Sequence, residues 1–411
     1  MERFGLMGFV PGRQVRLFVL LLTIVLTAAC TEARRQALPA PTGIPLQRVK
    51  LLTYNTLHGL EPSGLTVKAM ESKDARQARL DLQFRQLSDI QPDVMLLQEV
   101  NPLPEMAERY VAAMKSVGLD YRSVHQVDAC GVRLMPGLAV VPGLNNGLAV
   151  LAKAPLLLRK VQGLKLSGGF GRCDDYVGFQ TGELRYALIA EVENPNTGRK
   201  FLTVSLHLHS GIERNAFFIQ KINEAVDEGR VRREDFEDIV AALEVSQQRR
   251  LEEIRRLLQE IHKLTAKKSY AGVLVGGDFN FEPDDPEYRE FEAAGLKDTY
   301  AMASPETEVF TLDPQRNVIA GKGVREVPSA LLAAMKRLPE SQQKKILEGY
   351  QKGISEARRV DFLFLMREPS DEAHGCFRQE LFGRSDEDST GPGSDHYGVL
   401  VTYTADASQC G

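Results

Sequence analysis

Short apolar runs recur along this chain, and most of them stop or start on an amide, a carboxylate or an imidazole. VKLLTYN ends on Asn55, VMLLQE on Glu99, and VLVGGDFN on Asp278 and Asn280. FLTVSLHLHS carries His207 and His209, DFLFL begins with Asp361, and Asp395 and His396 immediately precede YGVLV. Apolar runs of this length, rich in Val, Leu and Phe, predict strands buried on both faces. A carboxylate at the end of such a strand is costly unless it is paired or holds a cation. Converging carboxyl and amide oxygens without matching thiolates suit a hard cation such as Mg²⁺. The pattern by itself predicts a metal-assisted hydrolase.

Between these runs the chain alternates with helical patterns. Residues 74–90 space Leu80, Phe84, Leu87 and Ile90 on one face, and Pro92 stops the helix. LAVLAK (148–153), LRYALIAEV (184–192) and FLTVSLHLHS (201–210) predict further strands, with Asn196-Thr197-Gly198 as the turn joining the last two. Residues 241–263 place Leu243, Leu251, Ile254, Leu257, Leu258 and Ile261 on one helical face. Residues 212–240 and 321–357 are expected to be elaborations, the second charged and helical. Strands and helices mix along the whole chain, as in a two-layered sheet packed between helices. The expectation is an α/β (α+β) fold with one catalytic domain over residues 48–404. No repeat or coiled coil suggests an oligomer.

The N-terminus predicts export. Arg3, Arg13 and Arg16 precede the apolar run Leu17–Ala29, which is short for a membrane span. Residues 1–29 therefore read as a signal peptide, and ending it before Cys30 resembles a bacterial lipoprotein signal. That resemblance implies acylation of Cys30, residues 30–47 as a polar, Pro-rich tether, and a place in the bacterial cell envelope, on the outer membrane or facing the periplasm. Four cysteines remain, and in an oxidising compartment an even number suggests two disulfides. Three pairings are possible; Cys130–Cys173 and Cys376–Cys410 each close a moderate loop.

The motifs TYNTLHG (53–59), PDVMLLQEV (92–100), VSLHLHSG (204–211), VGGDFN (275–280), RVDFLFL (359–365) and GSDHYGV (393–399) occur in this order. Together they resemble the endonuclease/exonuclease/phosphatase superfamily. The resemblance implies the DNase-I-like four-layer α/β/β/α sandwich. It also implies a hydrolase of phosphate esters that uses Mg²⁺, with Mn²⁺ as a substitute. On it, Glu99 becomes the principal metal ligand, with Asn55 beside it and Asp395 as a further metal-site carboxylate. Asp278 positions or activates water, Asn280 contacts phosphate, His396 is the catalytic histidine and Asp361 orients it. The second histidine is His207 or His209, which share a strand face; His207 fits the motif better. Arg185 and Asn146 are candidates for substrate contact, as His209 is if His207 takes the catalytic place. His58, His125, His262 and His374 read as surface or loop residues.

For the substrate, NNGLAV, SDHYGV and TLDPQRN (311–317) are similar to the neutral sphingomyelinase branch. With a lipid anchor they imply a membrane partner and a phospholipid or sphingomyelin-like phosphodiester. The apolar segment 131–144, with Leu134, Met135, Leu138, Val140 and Val141, is the candidate for lipid engagement. The net charge of -4 shows no overall basic excess. An exported nuclease on DNA or RNA is therefore the second reading, not the favoured one. A catalytically inactive binding protein is the third.

Overall fold

The computed structural model describes residues 48–405, leaving aside 64–65, 131–132, 136–137, 140–144, 169–183, 211–222, 225, 230–231, 304–308, 323–330, 333–334, 337, 368–374 and 385–391. The expected signal peptide, Cys30, the expected tether, Cys173 and Cys410 lie outside the described residues, as does much of segment 131–144.

In chain order the first strands are β1 (Arg48–Asn55), β2 (Leu60–Ser63) and β3 (Thr66–Ala69), then helix α1 (Lys73–Ile90) and β4 (Val94–Val100). Helix α2 (Glu105–Ser116) leads to β5 (Tyr121–Cys130), β6 (Arg133–Met135), β7 (Leu138–Ala139), β8 (Asn145–Lys153) and β9 (Leu157–Ser167). Then come β10 (Arg185–Glu193), β11 (Lys200–His207), α3 (Arg233–Lys267), β12 (Gly272–Asp278), α4 (Pro286–Ala293) and β13 (Lys297–Asp298). The chain continues through α5 (Thr299–Ala303), α6 (Val318–Lys322), α7 (Glu340–Ile354), β14 (Asp361–Arg367), β15 (Cys376–Phe382) and β16 (Gly398–Thr404).

Two six-stranded mixed sheets form the centre. Their orders are β15-β16-β1-β4-β8-β5 and β13-β14-β12-β11-β10-β9. Each has one parallel pair in its middle, β1 with β4 and β11 with β12. The inner faces meet through Val94, Leu96, Val150, Leu188, Leu274, Leu363 and Val401. On the outer face of the first sheet, Leu80 and Leu87 of α1 and Tyr110 of α2 pack onto Leu52, Met95 and Leu97. On the outer face of the second, Ile254, Leu257 and Ile261 of α3 and Phe291 of α4 cover Val204, Val273 and Phe364. Apolar burial on both faces of both sheets produces the expected α/β/β/α layering.

Local rules account for the borders. Ser72 caps α1 by accepting from Ala75 N at 3.1 Å. Gln91 ends the same helix at φ 53, its N–H bonded to Leu87 O. Helix α3 starts at Arg233, so the last part of the expected elaboration 212–240 belongs to this helix. The buried Ile239 holds that early stretch down, although its other described residues are exposed or half-buried and mostly charged. Within 321–357, Ile346 and Tyr350 of α7 are buried, so this part is folded against the rest. Cys376 is disulfide-bonded. Among the described residues, no helix is long and apolar enough to cross a membrane.

One glycine sets the spacing of the sheets. A Cβ on Gly276 of β12 would sit 2.6 Å from Leu96 Cδ1 and 3.2 Å from Thr53 Cβ. Its absence lets β12 approach β1 and β4. Nearby, buried Gln98 donates to Ser205 Oγ at 3.1 Å, one polar tie from β4 to β11 inside an apolar interface.

Candidate active site at the joined sheet ends

Strand register builds the site. In the second sheet, His207 pairs with Asp278 and Asp278 pairs with Asp361, so three neighbouring strands carry these side chains in a row. In the first sheet, Asn55 ends β1 and Glu99 lies near the end of β4. His396 arrives on the short segment that precedes β16. Leu57, Glu99 and Asn280 all adopt positive φ, at 60°, 56° and 53°. Non-glycine residues take this conformation at a cost, and they concentrate where surroundings over-determine a functional geometry. The β4–β8 register shifts between Leu97 and Val100, which frames Glu99 as an irregularity that turns its side chain toward the second sheet.

Asn55 is the bridge between the two sheets. Its Nδ2 donates to Glu99 Oε1 at 3.2 Å and to Asp278 Oδ2 at 3.1 Å. Its Oδ1 accepts from Leu57 N at 3.1 Å, so the amide faces the carboxylates with its donor side. Asp278 Oδ2 also lies 3.5 Å from His207 Nε2 and 3.8 Å from His396 Nε2. Asp278 Oδ1 accepts from Asn280 N, and Asn280 Nδ2 donates to Leu208 O. His396 Nδ1 lies 2.8 Å from Asp361 Oδ2.

Burial and neighbours set the charges. Burial alone would strip His396 of its proton, but Asp361 and Asp278 beside it raise its pKa well above the ordinary histidine value. Burial also pushes Asp278 above the usual carboxylate range; Asp361 and Glu99 add to the effect, while His396 and Asn55 oppose it. For Glu99, burial would raise the pKa, yet His58, His207 and the bond from Asn55 hold it at about 2. Glu99 therefore stays ionised at any ordinary pH.

Asn55, Glu99, His207, Asp278, Asn280, Asp361 and His396 thus lie together. Asp395 stands beside the cluster: its Oδ1 accepts from Ser394 Oγ, and its charge acts on His396. Of the two candidate histidines, His207 reaches Asp278. His209 lies beyond β11, with its N–H bonded to Glu253 Oε2. Arg185 opens β10 at this end, 3.4 Å from Ser210 Oγ, and the buried Asn146 pairs with Ala129 immediately beside the Val100–Gly147 pair.

His58, which reads from the sequence as a surface or loop residue, lies in the loop after β1 and there reaches Glu99. Its N–H donates to Glu99 Oε2 at 2.9 Å and its Nε2 lies 3.6 Å from the same oxygen. Leu60 N donates to His58 Nδ1, which puts the neutral ring's proton on Nε2, toward Glu99. The only sequence signal was its place three residues after Asn55.

The donor set fits a hard divalent cation. Glu99, Asp278, Asp361 and Asp395 gather with His396 as the strongly held positive charge, and Asp361 Oδ1 is buried without a hydrogen-bond partner. Ligand atoms of Asp278, Asp361 and His396 lie within 4.8 Å of one another. A buried surplus of carboxylate charge is stabilised by a bound cation.

This fold and this site define an enzyme that hydrolyses phosphate esters. The chain belongs to the Endonuclease/Exonuclease/phosphatase family, whose sequence model matches residues 52–323. The family is generally dependent on divalent metals. No curated protein sequence matches the chain. Among solved structures, it is similar to an endonuclease/exonuclease/phosphatase from Bacteroides vulgatus at 15% identity and TM-score 0.50, covering 87% of this chain and 99% of that one. Truncated Caenorhabditis elegans TDP2 is similar at 16% identity and TM-score 0.49, covering 87% and 98%. A mannosyl-6-phosphatase of Bacteroides thetaiotaomicron gives 16% identity and TM-score 0.46, covering 86% and 99%. At these identities the likeness extends to the fold alone.

Proposed function

We propose that this protein is an exported, Mg²⁺-dependent phosphodiesterase, with Mn²⁺ as an alternative ion, acting at the cell envelope on a phospholipid or sphingomyelin-like substrate. The observation that carries the hydrolytic part is the Asn55 bridge, which presents Glu99 and Asp278 together beside His207 and His396. Glu99 and Asp278 would hold the cation. His396 turns its Nδ1 to Asp361 and serves in this reading as the proton carrier, not as a ligand. Asn55 as seen here positions both carboxylates through its NH₂ group rather than offering its oxygen, and Asp395 adds charge from the rim.

The ion, when bound, neutralises the phosphate and polarises the bond to be cut. Asp278 orients the attacking water and takes its proton. Asn280 and His207 donate hydrogen bonds to phosphoryl oxygens as charge builds on them. His396, held protonated by Asp361, neutralises the departing oxygen. Arg185, Asn146 and His209 line the approach to the reacting phosphate.

The lipid part of the reading draws on the N-terminal signal with Cys30 and on the segment between β5 and β8. Val100 pairs with Gly147, so the hairpin of β6 and β7 leaves the first sheet at the end that carries Glu99. An apolar hairpin there would meet a lipid surface as the phosphate enters. The test is a Mg²⁺-dependent panel of sphingomyelin, phosphatidylcholine, plasmid DNA, RNA, inositol phosphates and a bis-aryl phosphate, with His396→Ala as blank. Turnover of nucleic acid alone would replace the lipid reading by the nuclease one. Equal turnover by wild type and blank would remove the hydrolase. Polar substitution of Leu134, Met135, Leu138, Val140 and Val141 should weaken vesicle hydrolysis and spare the soluble ester.

A further inference from the structure

Helix α1 buries an arginine and a glutamine whose N–H groups reach loop carbonyls and Glu71. Arg79 is 6% exposed and Gln83 is fully buried. Arg79 donates to Thr56 O at 2.8 Å, to Leu57 O at 3.3 Å and to Gly393 O at 3.5 Å, while Glu71 accepts from its Nε and NH2. Gln83 Nε2 donates to Thr56 O at 3.1 Å and to Gly393 O at 2.5 Å. Tyr110 OH donates to Gln83 Oε1 and so turns the amide's NH₂ toward both carbonyls. One side chain therefore ties two loops that are more than three hundred residues apart in sequence.

Those loops carry the two halves of the site. Thr56 and Leu57 lead to His58, whose N–H holds Glu99. Gly393 leads through Ser394 and Asp395 to His396. Two glycines record how closely the helix approaches. A Cβ on Gly393 would sit 2.8 Å from Gln83 Cγ, and one on Gly59 would sit 2.9 Å from Glu71 Oε1 and 3.4 Å from Arg79 NH2. Gly59 also needs its φ of +72°. From the far side, Asn317 Nδ2 donates to Ser394 O and Asp395 O, so three successive carbonyls before His396 are each fixed by a buried side chain.

We propose that Gln83 and Arg79 are positioning residues that hold the Glu99 half and the His396 half of the site in register. This rests on the metal-assisted hydrolase reading and deepens it. A residue that fixes only stability would lower the melting temperature and leave binding and turnover intact. A register clamp changes both halves at once, because reacting groups misplaced by about 1 Å lose on the order of 10²-fold in rate.

The test compares Gln83→Met, which keeps the shape and removes both donors, with Tyr110→Phe, which keeps the donors and frees the amide. Tyr121→Phe is the control: its hydroxyl donates to Pro92 O, at the start of β4 and away from the site. For each, the melting temperature, the Mn²⁺ dissociation constant of the metal-free protein, and kcat and KM on bis(4-nitrophenyl) phosphate with Mg²⁺ are measured. Gln83→Met should lower kcat by about 10- to 100-fold with a smaller change in KM and weaken Mn²⁺ several-fold. Tyr110→Phe should move both in the same direction and less, and Tyr121→Phe should move neither. If both variants of the clamp behave like Tyr121→Phe, the clamp is wrong and the hydrolase reading stands. If wild type turns over no faster than His396→Ala, the hydrolase reading is wrong, and the Mn²⁺ constants alone decide the clamp.

Discussion

His396 Nδ1 lies 2.8 Å from Asp361 Oδ2, and the pair is almost completely buried. Burial lowers the His396 pKa, and Asp361 is the strongest of the neighbours that raise it. Asp361→Asn keeps the shape and removes the charge. The imidazole then loses its proton at lower pH, so the alkaline limb of the pH–rate profile should move down. The rate at its optimum should fall by about 10²- to 10⁴-fold. The sign for stability is the same. A raised folded pKa stabilises fully below the ordinary histidine value of 6.5, and that contribution is lost as pH rises through the folded value. In Asp361→Asn the alkaline loss should begin nearer 6.5, read by thermal unfolding of metal-free protein across pH.

Much of this was legible from the chain alone, for a physical reason. β1, β4, β11, β12, β14 and β16 occupy the middle of their sheets, are covered on both faces, and so appear as continuous apolar runs. The carboxylates and amides that end those runs stand out because apolar sequence surrounds them. The edge strands β5, β9 and β15 do not stand out. YRSVHQVDAC, LLRKVQGLKLS and CFRQELF are interrupted by polar residues, since one side of each faces solvent or bears a pairing-free edge. His58 was illegible because a histidine beside a glycine in a polar loop is ordinary. Arg79 and Gln83 were illegible because arginine and glutamine in a helix normally face water. Their burial follows from two loops that meet only in the folded chain.

Arg250 and Glu287 form an ion pair at 2.9 Å with side chains 1% and 0% exposed. Arg250 NH1 also donates to His209 O, and Gln247 supports Glu287. Burial pushes Glu287 up, and Arg250 counters it. Arg250→Met should strand the carboxylate and cost about 3–5 kcal/mol. For a chain of this size that means a melting temperature lower by roughly 4–7 °C. Adding Glu287→Gln to Arg250→Met should recover a large part of it. A double variant as unstable as the single one would show that the pair contributes through shape and not charge.

Gly276 has a normal backbone and a crowded environment. A valine there would drive its branched side chain into Leu96 and Thr53, where even a Cβ meets carbon at 2.6 Å. The two sheets would have to separate, at about 1–3 kcal/mol. Because Asp278 lies two residues further along β12, Gly276→Val should weaken Mn²⁺ binding as well as lower the melting temperature. The same substitution at Gly295, where φ is +80° and the nearest outside atom is Met366 Sδ at 3.8 Å, is a comparison that should cost stability through backbone strain and leave Mn²⁺ binding unchanged.

Glu99 is kept ionised, its pKa held down at about 2. Its depressed pKa stabilises the fold above the ordinary glutamate value of 4.5, and that contribution is lost as pH falls through about 2. Glu99→Gln should therefore flatten the acid limb of stability in metal-free protein below pH 4.5. The same substitution should reveal the cation. If Glu99 and Asp278 hold it, Mg²⁺ or Mn²⁺ at a hundred times its dissociation constant should stabilise wild type by about 2.7 kcal/mol. Glu99→Gln and Asp278→Asn should each lose most of that rise, while Asp361→Asn should retain more of it, because one of Asp361's two oxygens is committed to His396. A rise lost in Asp361→Asn and kept in Glu99→Gln would move the ion to the Asp278–Asp361–His396 side of the cluster.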